Sequence, residues 1–435
     1  MRQTEMRELK YPASLWRHTA MAAAEPVELA EAVVADVAII GAGYTGLSAA
    51  LRAIERGLKP VIVEAGEVGF GASGRNGGVV STKFRVSLSD MARTHGIEVA
   101  RRMSQLGHNA TDCVEHYVES LGISAGFAKT GNLRCAHNRL ALQRLTDEAE
   151  TARRLFGDTS LIVLDASQTA AETGSTAFVG GVLNRHAGVI HPLNYARGLA
   201  AAVRARGGLI FERSPVTSVT QQPHGIELAT NRGTVRAHRL IIATNGYSDL
   251  TSATEAVRRT VIPFRSAMIA TEPLPGDVFK TLVPQGRSYS ETRRMMRWFR
   301  RIDDRLLFGG RGAFGKDDSE AAFRALEGAM KGIFPLLEGR AITHRWSGLV
   351  AMTLDSLPQV GMLNPRMAFA LGYNGTGIAM SSLIGRHVLD LAMGDEPDLS
   401  LMRRTKPQNI PFYFLHEPTV RVVAGWYQFL DHIGR

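Results

Sequence analysis

An α/β fold is predicted: a Rossmann-type domain that binds a dinucleotide, joined to a discontinuous α+β domain built on a mostly antiparallel sheet. Three observations lead to it. A strand, a glycine turn, a helix and a second strand ending in an acid follow one another between Asp36 and Glu64. Short apolar strands recur at 209–212, 240–246 and 367–371, the last two running into small-residue turns. Between them lie stretches with the period-two alternation of antiparallel strands, clearest at 293–310.

The first unit begins with Asp36-Val37-Ala38-Ile39-Ile40, short and apolar as a buried parallel strand is, and passes directly into Gly41-Ala42-Gly43-Tyr44-Thr45-Gly46. This is a GxGxxG turn. Gly41 allows the tight turn, Gly43 lets a pyrophosphate approach the backbone, and Gly46 lets helix and strand close together. Tyr44 and Thr45 open the helix, whose N-terminus faces the anion. Leu47, Ala50, Leu51 and Ile54 recur at helical spacing, Gly57 stands where a C-terminal cap belongs, and 60–63 is the next strand. Glu64 ends that strand, where a carboxylate accepts hydrogen bonds from ribose hydroxyls and repels the 2′-phosphate of NADP. The ligand is therefore FAD or NAD.

A chain of 435 residues, 45% hydrophobic and 21% charged, is long enough for two soluble domains. The net charge of +10 comes from basic residues spread along the chain, which reads as a solvated surface, with some attraction for acidic substrates, and not as a nucleic-acid footprint. Cys113 and Cys135 form no metal-ligand cluster, His116 and His137 have no partner at ligand spacing, and no metal is expected. Residues 1–12 lack an apolar signal core and no segment is apolar enough to span a membrane, so a cytoplasmic enzyme is expected. The aromatic island at 11–16 is expected to cover a hydrophobic edge.

After Glu64 comes a second glycine-rich stretch, Gly69-Phe70-Gly71-Ala72-Ser73-Gly74-Arg75-Asn76-Gly77-Gly78. Together with Gly41-Ala42-Gly43-Tyr44-Thr45-Gly46-Leu47-Ser48-Ala49-Ala50 it resembles the FAD-dependent amine oxidoreductases related to D-amino-acid oxidase, sarcosine oxidase and glycine oxidase. Its motifs are nearest the γ-glutamylputrescine oxidase branch, and the resemblance runs from about Tyr11 to Gly394. It implies that Ser73, Arg75, Asn76 and Gly77 wrap the flavin and its pyrophosphate, with Arg75 and Asn76 supplying donors. It implies that Val216 presents its backbone to the adenine. Thr244 and Gly246 match the family's ATG motif with Asn245 inserted. Gly375, Thr376, Gly377 and Ile378, at the start of an apolar helix, match the segment beside the flavin pyrimidine ring, where a helix dipole stabilises negative charge. Sarcosine oxidases attach flavin through a cysteine in the segment matching 349–358; this segment has none, so noncovalent FAD is expected.

Within 293–310, Met296, Trp298 and Arg300 share one strand face, and Asp303-Asp304 turns the chain back. The hairpin resembles the family sheet over the flavin, which makes Trp298 and Arg300 the pocket residues, Arg300 holding a substrate carboxylate; Arg265 and Arg311 are further candidates. The oxygen-activating lysine of sarcosine oxidase is replaced near Leu307, which leaves O2 or another carrier open as electron acceptor. The implied reaction is oxidation of a C–N bond in a primary or secondary amine bearing a carboxylate, by hydride transfer to flavin and hydrolysis of the resulting imine. A D-amino-acid or 2-hydroxy-acid dehydrogenase with a quinone or carrier acceptor is an alternative, as is a flavoprotein module in tRNA modification. The expected layout is an arm at 1–35, a FAD-binding domain at 36–110, 186–258 and 340–400, a substrate domain at 111–185 and 259–339, and a tail at 401–435 whose aromatics pack on the protein.

Overall fold

Val37 and Ile39 point to one side of the strand Ala32–Ile40 and Ala38 and Ile40 to the other, and the two sets enter separate hydrophobic cores. A strand buried on both faces needs parallel neighbours and helices above and below. Thr234–Ile242 and Pro60–Val63 flank it in parallel, with Ile39 opposite Ile241 and Ile62. Met367–Leu371 and Leu209–Phe211 extend the parallel sheet on either side. An antiparallel edge at Gln359–Asn364, the short Arg403–Arg404 and a hairpin at 218–229 complete a nine-stranded sheet. The helices Tyr44–Glu55, Pro192–Ala205 and Gly377–Ala392 pack together over one face. The computed structural model describes residue 9 and residues 11–313 and 319–432.

A second, eight-stranded sheet runs in the order Ile342–Met352, Ile262–Thr271, Arg305–Ala313, Arg297–Ile302, Ser288–Glu291, Asn132–Ala136, Gly180–Asn184, Leu161–Leu164. Every pairing is antiparallel except Ser288–Glu291 with Asn132–Ala136, the joint at which the two separated chain segments meet. One face carries Phe299, Phe308 and Tyr289 against Phe323, Met330 and Phe334 from the helix Glu320–Ile333 and the turn after it. The Tyr289 and Phe299 rings stack at 5.2 Å across the strands. The opposite face carries Met268 and Trp298 toward the first sheet.

Two expected boundaries move. The strand Ile342–Met352 pairs with Ile262–Thr271 along its length and belongs to the second sheet; its small, apolar residues resemble a nucleotide-domain strand end, and its partner lies some seventy residues back in sequence. The helix Ile97–Ser120 runs through the expected break after 110 and stays on the nucleotide-binding core through Val114 and Tyr117.

The N-terminal arm folds as a short helix, Leu15–Thr19, capped by Ser14, with Leu15 and Trp16 buried beside Leu193, Met268, Leu307 and Trp346. It seals the seam between the sheets. The tail departs from expectation. Its helix His416–His432 meets the molecule at Ala424, at Tyr427, which faces Arg85 and Arg311, and at Asp431, whose carboxylate accepts from the backbone N–H groups of Arg294 and Met295 at 3.0 and 2.8 Å. Phe412 and Phe414, ahead of the helix, and Trp426 and Phe429 on its outer side are each at least half exposed.

Candidate active site

A crevice opens where the parallel strands end and follows the seam into the second sheet. Gly41 sits at φ +109°, and a methyl group there would lie 3.0 Å from the Ala243 carbonyl oxygen. Gly46 stands behind it: a methyl group would overlap the Gly41 carbonyl oxygen, so its task is helix-to-strand contact and it does not line the crevice. Gly43, Tyr44 and Thr45 do line it. The Tyr44 N–H donates to Ser73 Oγ at 3.1 Å, and the Tyr44 hydroxyl lies within hydrogen-bonding distance of the Ser73 and Pro192 carbonyls. Glu64 Oε2 accepts from the Ala42 N–H at 2.7 Å and Oε1 from the Gly66 N–H at 2.8 Å. Burial raises its pKa, and these backbone donors oppose the rise.

Val216 and Thr244 line the next stretch. Asn245 adopts φ +47°, and its Oδ1 accepts from the Gly372 N–H at 2.9 Å, tying two strand ends together. Gly246 packs against Leu349 and lies outside the crevice wall. Beyond them, Gly375, Thr376, Gly377 and Ile378 line the crevice where the helix Gly377–Ala392 begins. No side chain caps that helix, so its first N–H groups are open to an anion.

Ser73, Arg75, Asn76 and Gly77 form the opposite wall. Arg75 and Asn76, expected to supply donors, are more occupied than expected. Asn76 Nδ2 donates to the Ala72 and Ser73 carbonyls at 3.0 and 3.1 Å, and its Oδ1 accepts from the Gly78 N–H at 2.8 Å. Arg75 Nε donates to the Phe70 carbonyl at 2.7 Å, with the guanidinium 4.4 Å over the Phe70 ring and 5.9 Å from that of Tyr247. Both side chains brace the loop. Trp16 Nε1 donates to the Asn76 carbonyl at 2.8 Å and Trp346 Nε1 to that of Arg75 at 3.0 Å.

At the far end Trp298 lines the crevice, fitted between Gly309 and Gly77. Arg300 does not. Its Nη1 donates to the Gly78 and Ile190 carbonyls at 2.7 and 3.1 Å, and the residue is 7% exposed. The neighbouring loop turns its carbonyls inward and captures the guanidinium, which the period-two pattern alone does not reveal. Arg265 is likewise turned aside, donating to Ser347 Oγ. Arg311 faces the crevice, with Nη1 donating to the Arg294 carbonyl at 3.3 Å; burial and the nearby Arg85 hold its pKa down at about 10. Asn132, Tyr289, Ser290 and Lys83 share this end, and none of the four carries a sequence motif. Val79, Ser81 and Lys83 do recur at period two beyond the glycine stretch, a signal that could have placed Lys83 on the wall.

A glycine-turn dinucleotide crevice that continues across a sheet presenting an aromatic ring and a cation defines an oxidoreductase with a bound redox cofactor. The chain belongs to the FAD dependent oxidoreductase family (DAO), whose model matches residues 36–391. It is 32% identical over 401 residues to the probable oxidoreductase OrdL of Haemophilus influenzae, covering 91% of this chain and 92% of that one. It is 31% identical over 413 residues to the gamma-glutamylputrescine oxidoreductase of Escherichia coli, covering 93% and 95%. The fold is that of glycine oxidase from Geobacillus kaustophilus, with a TM-score of 0.72 at 22% identity, covering 84% of this chain and 96% of that one. The crevice fits FAD: Gly41 and Gly43 line it without side chains, and the uncapped N-terminus of Gly377–Ala392 offers N–H donors suited to an electron-rich ring. Among the described residues no cysteine or histidine lines it, so no side chain of the usual kind is placed for covalent attachment.

Proposed function

We propose that this FAD-dependent oxidoreductase oxidises the C–N bond of an amine that carries a carboxylate, with Arg311 holding the carboxylate and Trp298 forming the wall against which the reacting carbon lies. The observation that carries the reading is the single cavity joining the glycine cradle to Trp298 and Arg311. The relation to a gamma-glutamylputrescine oxidoreductase supports the amine class. FAD, bound without a covalent link, supplies the two-electron acceptor for the substrate C–H. Gly41, Gly43 and the N-terminus of Tyr44–Glu55 would hold its pyrophosphate, Glu64 its ribose, Val216 its adenine, and Gly375 to Ile378 its ring. Arg311 is suited to the carboxylate because a planar guanidinium pairs with it bidentately, and because Arg85 keeps that corner positive. Trp298 and Met268 exclude water from the reacting end.

The test is anaerobic bleaching of the flavin absorbance by γ-glutamylputrescine, N-methyl amino acids and D-amino acids, followed by admission of air. Bleaching by one of these amines is expected, and rapid recolouring would make O2 the acceptor. Bleaching by dithionite but by none of the amines would remove the amine reading and favour the 2-hydroxy-acid alternative, which 2-hydroxy acids then test directly.

A further inference from the structure

Lys83 is a half-buried amine on the crevice wall that the reaction described so far leaves unused. It continues the face of Val79 and Ser81 into the substrate end, beside Ser290 and Arg311. Among the described residues its ammonium group has no carboxylate partner. The charges that act on it are Arg134 on Asn132–Ala136, Arg311 on Arg305–Ala313 and Arg85 beyond the loop, opposed by Glu148 on the helix Arg139–Phe156. Glu148 is itself paired with Arg134 at 3.4 Å. From the terminal helix Tyr427 faces Arg85 and Arg311. Burial first, and then these guanidiniums, bring the Lys83 pKa down to about 7. The neighbouring Ser290 Oγ is buried without a hydrogen-bond partner among the described residues.

Resting on the amine reading above, we propose that Lys83 is the proton acceptor that converts the bound substrate ammonium into a free amine. An N–H bond of the substrate breaks, its electron pair stays on the substrate nitrogen, and the proton joins Lys83 Nζ. No electron is transferred in this step, and one positive charge moves from substrate to protein. The substrate carboxylate promotes it: an anion on Arg311 cancels part of the field that keeps Lys83 neutral, so the affinity of Lys83 for the proton rises when substrate arrives. The freed lone pair is what oxidation of the adjacent carbon requires. Arg85, Arg134 and Arg311 cannot serve in this way, since guanidinium groups do not release their protons.

Two measurements on the full-length holoprotein test the role. The first is competitive acetylation with acetic anhydride across pH, read by peptide mass; the chain has only eight lysines, so each is resolved. Lys83 is expected to reach half-reactivity near pH 7, well below the ordinary lysine value of about 10.4. The second is the rate of anaerobic bleaching by γ-glutamylputrescine from pH 6 to 10 in wild type, Lys83→Met and Lys83→Gln. At substrate well below saturation, where the free protein's Lys83 governs the rate, wild type is expected to rise about tenfold per unit below pH 7 and then level; at saturation the levelling moves to higher pH. The variants are expected to rise only toward the pKa of the substrate amine, falling roughly 100-fold behind at pH 7.5 and closing to within a few-fold at pH 10. Profiles that superimpose on wild type, or a Lys83 half-reactivity near that of the other lysines, would overturn the role of Lys83. Failure of every amine to bleach wild type would instead overturn the amine reading on which it rests.

Discussion

Arg300 and Arg311 lie on neighbouring strands of one hairpin, two residues of the same charge with different surroundings. Arg300 is enclosed by the Gly78 and Ile190 carbonyls and ties the flavin-side loop to the substrate sheet. Its replacement by Met leaves the Ile190 carbonyl without that donor, while the Gly78 carbonyl keeps the Ile190 N–H at 2.9 Å, and should cost about 1–3 kcal/mol of stability. Thermal unfolding of Arg300→Met should show a marked fall, while the holoprotein that remains keeps its substrate affinity within a few-fold. A large loss of affinity without loss of stability would return Arg300 to the substrate pocket. Gly41, Gly43, Tyr44, Thr45 and Trp298 are each read from a local pattern, and the structure puts them on the crevice wall. That Arg300 turns away from the crevice and Arg311 toward it is not legible there, because strand alternation gives the face of a side chain but not the loop that meets it. Lys83 was missed for a related reason: its chemistry comes from burial and from Arg134 and Arg311, both distant in sequence.

At the scale of elements, the unit from Ala32 to Val63 was readable almost in full, since strand, turn, helix and strand are contiguous and each glycine has its own steric cause. Gly46 shows how tight the fit is. Gly46→Ala puts a methyl group into the Gly41 carbonyl, an overpacking of about 1–3 kcal/mol at the turn that cradles the pyrophosphate. We expect FAD affinity to fall roughly 10- to 100-fold in this variant, measured by flavin-to-protein ratio after dilution and by fluorescence of released flavin. Full flavin retention would show that the turn adjusts. The strand Ile342–Met352 was harder to place because its ladder partner, Ile262–Thr271, is remote, and composition alone does not distinguish a strand of one sheet from a strand of the other.

At the scale of the whole molecule, the two sheets meet along the crevice, and the N-terminal arm closes the seam from outside. Trp16 is fully buried there and donates to the Asn76 carbonyl, so Trp16→Ala should cost about 3–5 kcal/mol and speed flavin release. Equal flavin off-rates in wild type and variant would reduce the arm to a covering for Leu307 and Trp346. The tail was misread because an outward apolar face and an inward one have the same composition. No helix among the described residues is long and apolar enough to cross a membrane.

The central claim is that the carboxylate of an amine substrate is held by Arg311 at the end of the flavin crevice. It is tested most directly by anaerobic flavin reduction with γ-glutamylputrescine and with its carboxamide analogue, in wild type and in Arg311→Met. In wild type the acid should bind tighter than the amide by about 3 kcal/mol, roughly two orders of magnitude, and that preference should collapse to a few-fold in the variant. An undiminished preference in Arg311→Met, or none in wild type, would contradict the account.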